Sequence, residues 1–170
     1  MIKRFKGIKP VIHDTVYIAQ SSEIIGDVEI DEGASIWPKT VIRGDIAPVK
    51  IGKYVNVQDL SLIHQSDGLP VILEDGVSIG HQVTLHSCTV KQNALVGMGA
   101  IVLDGAEIGE NAFIGAGSLV TPGTIIPANT LAFGSPARVV RELTTDDLND
   151  MKRTRVTYAE RAVHYKKHNL

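Results

Sequence analysis

Residues 88–126 read CTVKQN ALVGMG AIVLDG AEIGEN AFIGAG SLVTPG TII. Divided this way, the third place of every hexad is aliphatic: Val90, Val96, Val102, Ile108, Ile114, Val120 and Ile126. The first place is small: Cys88, Ala94, Ala100, Ala106, Ala112, Ser118 and Thr124. A period of six matches neither the 3.6 of an amphipathic helix nor the 2 of a half-buried strand. It is a hexapeptide repeat, in which each hexad supplies a short strand and a bend. Three hexads close one triangular turn, and turns stack at the usual strand spacing of about 4.8 Å. The aliphatic residue fills the axis and the small residue fits inside the corner.

The same period runs upstream through Ile12, Ile18, Ile24, Ile30, Ile36 and Ile42. It resumes in a shifted register as Ile51, Val57 and Ile63, and again as Leu73, Ile79 and Leu85. With three faces A, B and C and Ile12 on A, each run ends on face C, at Ile42, Ile63 and Leu85. All register breaks therefore fall at one corner, where insertions leave the stack intact. Loops are predicted there at Gly44–Lys50 and Gln65–Pro70, while the third break removes a residue. The predicted fold is all-β: a left-handed parallel β-helix, a triangular prism, over residues 1–140. Its handedness opposes the usual right-handed crossover and is taken from known hexapeptide proteins.

The repeat fades after Ile126, and Gly134-Ser135-Pro136-Ala137 reads as a turn. Thr144 or Thr145 can cap a helix, with Asp146 and Asp147 favouring its positive end. Leu148, Met151, Tyr158, Ala162 and Tyr165 then recur at helical spacing. Residues 141–170 are predicted as an α-helix packed along the prism.

Composition limits the functions on offer. A net charge of −2 gives no electrostatic case for nucleic acid or a membrane surface. No stretch approaches the roughly 20 apolar residues of a membrane helix. Residues 1–11 are basic but lack an apolar core, so no secretory signal is expected and the chain reads as cytoplasmic. Cys88 is the only cysteine and occupies an interior place of its hexad, so it is read as core.

Three of the six histidines are placed by the repeat, whereas His13, His164 and His168 are read as surface. His64 follows Ile63 and His86 follows Leu85, so both point outward from face C one turn apart. Imidazoles stacked in this way can share a metal with bonds near 2.0–2.1 Å. His81 follows Ile79 by two, at the B–C corner, where the metal of a neighbouring subunit is the natural target in a symmetric trimer. Three histidines plus water make a catalytic zinc arrangement. One turn below, Arg43 stacks under His64 and Asp59 under His81. If those columns face each other across an interface, Arg43 and Asp59 can pair there.

At these residues the chain resembles the γ-class carbonic anhydrase-like family of hexapeptide-repeat proteins. The resemblance covers nearly the whole chain and is carried by Val41-Ile42-Arg43-Gly44-Asp45, Asn56-Val57-Gln58-Asp59, Ile63-His64, Gly80-His81 and Leu85-His86. It implies a homotrimer with metal at the subunit interfaces, His64 and His86 from one subunit and His81 from its neighbour. It further implies interface roles for Arg43, Asp45 and Asp59. Gln58 is implied to contact metal-bound water or bicarbonate, and Asn56 to help hold CO2. The implied reaction is zinc-dependent hydration of CO2 to bicarbonate, a lyase activity. Ferrous iron and cobalt also suit three neutral imidazoles. An active member has one glutamate just after the Asp45 position and another in an acidic loop. Here Ile46 and Gln65-Ser66-Asp67-Gly68 stand instead, leaving proton export to Asp67, Tyr158 or buffer. The alternatives are a hexapeptide-type acyltransferase or thioesterase acting on coenzyme A thioesters, and a non-catalytic trimeric scaffold.

Overall fold

The computed structural model describes residues 1–169. Its parallel ladders follow the three columns of the repeat. On face A, Ile12 pairs with Ile30, and Ile51, Leu73, Val90, Ile108 and Ile126 continue the stack. Face B stacks Ile18, Ile36, Val57, Ile79, Val96 and Ile114. Face C stacks Ile24, Ile42, Ile63, Leu85, Val102 and Val120. Apart from Ile12 and Ile18 at the open N-terminal end, these residues are buried in one continuous core with the corner alanines. Each fully buried aliphatic contributes about 1.5–3 kcal/mol. Cys88 lies in that core, where burial pushes its thiol up to about 12.

The expected loop at Gly44–Lys50 is instead part of one strand, Val41–Ile51. With Glu23–Ile30 it runs straight through the C-to-A corner, which joins two faces into one 12-stranded sheet. Between the Gly26–Gly44 and Val28–Val49 pairs, Asp45–Pro48 face the single Asp27. Alternation survives this insertion: Ile42 and Gly44 are buried, the phase slips at Asp45 and Ile46, and Ala47, Val49 and Ile51 are buried again. The inserted residues thus form a bulge inside a strand. Backbones nest so closely there that a Cβ on Gly44 would lie 2.1 Å from the Asp27 carbonyl oxygen. Residues 65–70, by contrast, leave the sheet.

Beyond the last hexad, Thr130–Gly134 and Ala137–Glu142 form an antiparallel hairpin around Ser135-Pro136. The sequence suggested only the turn. Leu131 and Ala132 pair with Phe113 and Ile114, so the hairpin extends face B.

The helix spans Thr145–His168 with Thr144 as its N-cap. Thr144 and Asp147 close a reciprocal capping box, and Arg141 grips Asp147 at 2.6 and 3.1 Å. The Arg141 guanidinium, then the Thr144 hydrogen bonds, hold the Asp147 carboxyl well below the usual carboxylate range. The helix lies along face B, where Tyr17, Ala19 and Trp37 meet Ala162, Tyr158 and Tyr165. Trp37 stands edge-on to Tyr158 and Tyr165, with ring centroids 5.1 Å apart in each pair. Leu148, read as part of the packed stripe, is 39% exposed.

Candidate metal centre

Strands Leu62–His64 and Thr84–His86 are hydrogen-bonded neighbours in which His64 pairs directly with His86. Because side chains alternate along a strand, burial of Ile63 and Leu85 sends both imidazoles outward together. His64 Nδ1 lies 3.3 Å from His86 Nε2. The other nitrogen of each ring faces a carboxylate: His64 Nε2 is 3.0 Å from Asp45 and His86 Nδ1 is 2.5 Å from Asp104. An ionised carboxylate only accepts, so the nitrogens facing it carry the protons. In neutral rings the two nitrogens facing each other are then both lone-pair donors, and the gap between them suits a cation. Two metal–nitrogen bonds of about 2.05 Å at a tetrahedral angle separate their donor atoms by about 3.3 Å.

His81 repeats the pattern at the B–C corner. Its Nδ1 is 2.9 Å from Asp59, and its Nε2 is 3.3 Å from the Tyr158 hydroxyl. Three histidines thus each have one nitrogen held by an aspartate, the arrangement that fixes tautomer and ring orientation in metal sites. Within one chain, among the described residues, no three His, Cys, Asp or Glu side chains form a group able to hold a metal.

Asp104, Ser66 and Gln65 were not read from the sequence as members of this constellation. Asp104 follows Val102 by two, one level above Leu85, so its column was available as a signal. Ser66 donates its hydroxyl to Asp104 at 2.6 Å. That bond, then the His86 bond, holds the Asp104 carboxyl below the usual range. Gln65, buried beside His64, donates its amide to the Arg43 carbonyl at 2.6 Å.

The sequence-derived residues are distributed as follows. Arg43 reaches Asp45 at 2.7 Å, so within one chain it pairs with Asp45 and leaves Asp59 to His81. Gln58 and Asn56 are buried in a ladder: Gln58 Nε2 donates to Asn56 Oδ1 at 3.1 Å, and Asn56 Nδ2 to Ser78 Oγ at 2.8 Å. Gln58 also borders a mainly apolar cleft of about 380 Å³ that contains His81, Leu95, Met98, Phe113 and Tyr158. Burial, then the charge of Asp59, raises the Tyr158 phenol above its ordinary value, so it stays protonated at neutral pH. Asp67 is exposed at the loop tip, and no partner for it is found among the described residues. His13, His164 and His168 are exposed.

Comparison with known proteins agrees with this constellation. The family model described as "Bacterial transferase hexapeptide (six repeats)" matches residues 87–122. A carbonic anhydrase of Geobacillus kaustophilus (strain HTA426) is 59% identical over 98% of this chain and 91% of its own. The mitochondrial gamma carbonic anhydrase 1 of Arabidopsis thaliana is 36% identical over 90% of this chain and 58% of its own. The chain belongs to the γ-class carbonic anhydrase-like hexapeptide-repeat family. A crystal structure from Bacillus cereus that carries an acetyltransferase name superposes with a TM-score of 0.97. It is 57% identical, over 98% of this chain and 97% of that one. Membership of the γ-class family places the chain among enzymes of the lyase type at family level. Among the described residues no helix is long and apolar enough to cross a membrane.

Proposed function

We propose that this chain forms a homotrimer that catalyses the reversible hydration of CO2 to bicarbonate at divalent metal sites shared between subunits. One observation carries the reading. His64 Nδ1 and His86 Nε2 face each other 3.3 Å apart, each ring braced from behind by an aspartate on its other nitrogen. His81, braced in the same way by Asp59, supplies the third ligand to a neighbouring copy. Zinc fits this donor set, as do ferrous iron and cobalt. A divalent ion held there would make water nucleophilic near neutral pH.

The chain's own groups do the rest. Gln58, fixed by Asn56, orients the substrate oxygen at the polar edge of the cleft, and the apolar wall admits CO2. The Tyr158 phenol lies 3.3 Å from His81 Nε2, the nitrogen that would reach a neighbour's site. Proton export falls to Asp67 or buffer, because the Tyr158 phenol, held protonated by burial and the charge of Asp59, has no vacancy for a further proton. Arg43, Asp45 and Asp59 line the subunit contact, where Asp45 joins Arg43 to His64.

The test is stopped-flow CO2 hydration by protein loaded with zinc, or with ferrous iron under anaerobic conditions, with His81→Ala as the blank. Rates well above the blank support the reading. Rates equal to it, with metal confirmed bound to the native protein, overturn it. The cleft beside the His81–Asp59 pair favours a second reading, acyl transfer or thioester hydrolysis on coenzyme A thioesters with His81 as base. Thioester turnover unaffected by chelator would support that reading.

A further inference from the structure

On the opposite edge of the helix from His81, at the A–B corner, lies a second cavity of about 430 Å³. Lys53, Tyr54, Asp75, Gln92, Asn93 and Arg155 border it. Arg155 is half-buried there, and no hydrogen-bond, ion-pair or ring partner for it is found among the described residues. Other arginines are engaged: Arg43 reaches Asp45, Arg141 reaches Asp147 and Arg153 reaches Asp150. A guanidinium has five donors, and leaving them without acceptors in a partly desolvated place is unfavourable.

The fold makes room for this arginine. Gly76, at φ +71°, lies beneath it, and a Cβ there would stand 3.0 Å from Arg155 Cδ and 2.5 Å from Asn93 Oδ1. Both side chains therefore depend on a bare backbone below them. The nearby carboxylates are occupied. Asp75 Oδ1 accepts the Lys53 backbone N–H at 2.8 Å, and Glu32 pairs with Lys53 Nζ at 3.3 Å. Desolvation lowers the guanidinium from its ordinary value, and no neighbouring anion offsets that effect.

We infer that this pocket binds a small molecule with an oxyanion head, a carboxylate or a phosphate, gripped by Arg155 and flanked by Lys53. The guanidinium fork matches both head groups in bidentate geometry. The pocket is larger than a lone oxyanion requires, and Tyr54, Val156 and Ala159 give it an apolar wall, so the ligand also has an apolar or aromatic body.

Phenyl phosphate and benzoate are the probes, titrated into the native protein and each variant by isothermal calorimetry for affinity, while in the proteins that keep Arg155 its Nε–H signal is followed by nitrogen–proton NMR. Binding of either probe should shift that signal, and Arg155→Met, which keeps the apolar stem, should weaken binding at least tenfold. Lys53→Met should weaken it to a smaller degree. Preference for phenyl phosphate assigns a phosphate head, and preference for benzoate a carboxylate. His81→Ala should bind as the native protein does, which separates this pocket from the metal centre. No shift with either probe, equal affinity in Arg155→Met, or loss of binding in His81→Ala would each overturn the assignment.

Discussion

Replacing Asp104 by alanine tests the metal centre through a residue that touches no metal. Its carboxylate accepts from His86 Nδ1 at 2.5 Å and from Ser66 Oγ at 2.6 Å, and it is ionised across the neutral range. It therefore selects the tautomer whose Nε2 lone pair faces His64. Removing it leaves His86 free to rotate and to carry its proton on either nitrogen. Loss of a charge-assisted hydrogen bond costs about 1.5–3 kcal/mol. Loss of a carboxylate behind a ligating histidine typically lowers metal affinity 10–100-fold, about 1.4–2.8 kcal/mol, and the two estimates overlap. Asp104→Ala should thus bind zinc about 10–100-fold more weakly than the native protein, measured by competition with a chromophoric chelator at pH 7. Asp104→Asn keeps an acceptor without the charge and should fall nearer the tenfold end. Asp67→Ala, at the exposed loop tip, serves as the control and should stay within twofold. Native-like affinity in Asp104→Ala would refute the claim that this carboxylate sets the ring.

Three further outcomes follow from other parts of the molecule. Gly44→Ala should destabilise by about 3 kcal/mol or more in urea unfolding, because its Cβ meets backbone that cannot retreat, whereas Gly68→Ala, with open space but φ +70°, should lose about 1 kcal/mol; similar losses at the two sites would contradict the nested-backbone account. Asp147 has a folded pKa below its unfolded value, so its stabilisation is fully present above the ordinary carboxylate value of about 3.9 and fades as pH falls through the depressed one. The melting-temperature gap between native protein and Asp147→Asn should hold steady from pH 7 to about 5 and shrink below about 3; a gap that widens in acid would show the sign to be wrong. Arg43→Ala frees Asp45 from its 2.7 Å partner and should loosen the proposed trimer, seen as a smaller sedimentation coefficient at micromolar protein, so an unchanged value would count against a role for Arg43 in the contact.

The hexad pattern alone determined which residues share a column. Ile12 through Ile126 on face A, and the pairing of His64 with His86, follow from counting sixes once all register breaks are placed at one corner, because insertions at a single corner leave the stacked turns in register. The C-terminal helix was legible for a similar reason, since capping and helical spacing are local. Three features were not. Whether the insertion at Gly44–Lys50 would bulge within a strand or leave the sheet depended on how closely Gly26 and Gly44 could nest, a contact between turns. The hairpin after Ile126 is decided by pairing with Phe113 and Ile114. Asp104 was overlooked because columns specify level and face, while a carboxylate's partner is set by side-chain reach: 38 residues separate it from Ser66 and 18 from His86. Periodicity is a property of the chain and can be read along it. Hydrogen bonds between turns depend on distances that exist only once the turns are stacked, and so the braces behind each histidine were decided by the tertiary structure.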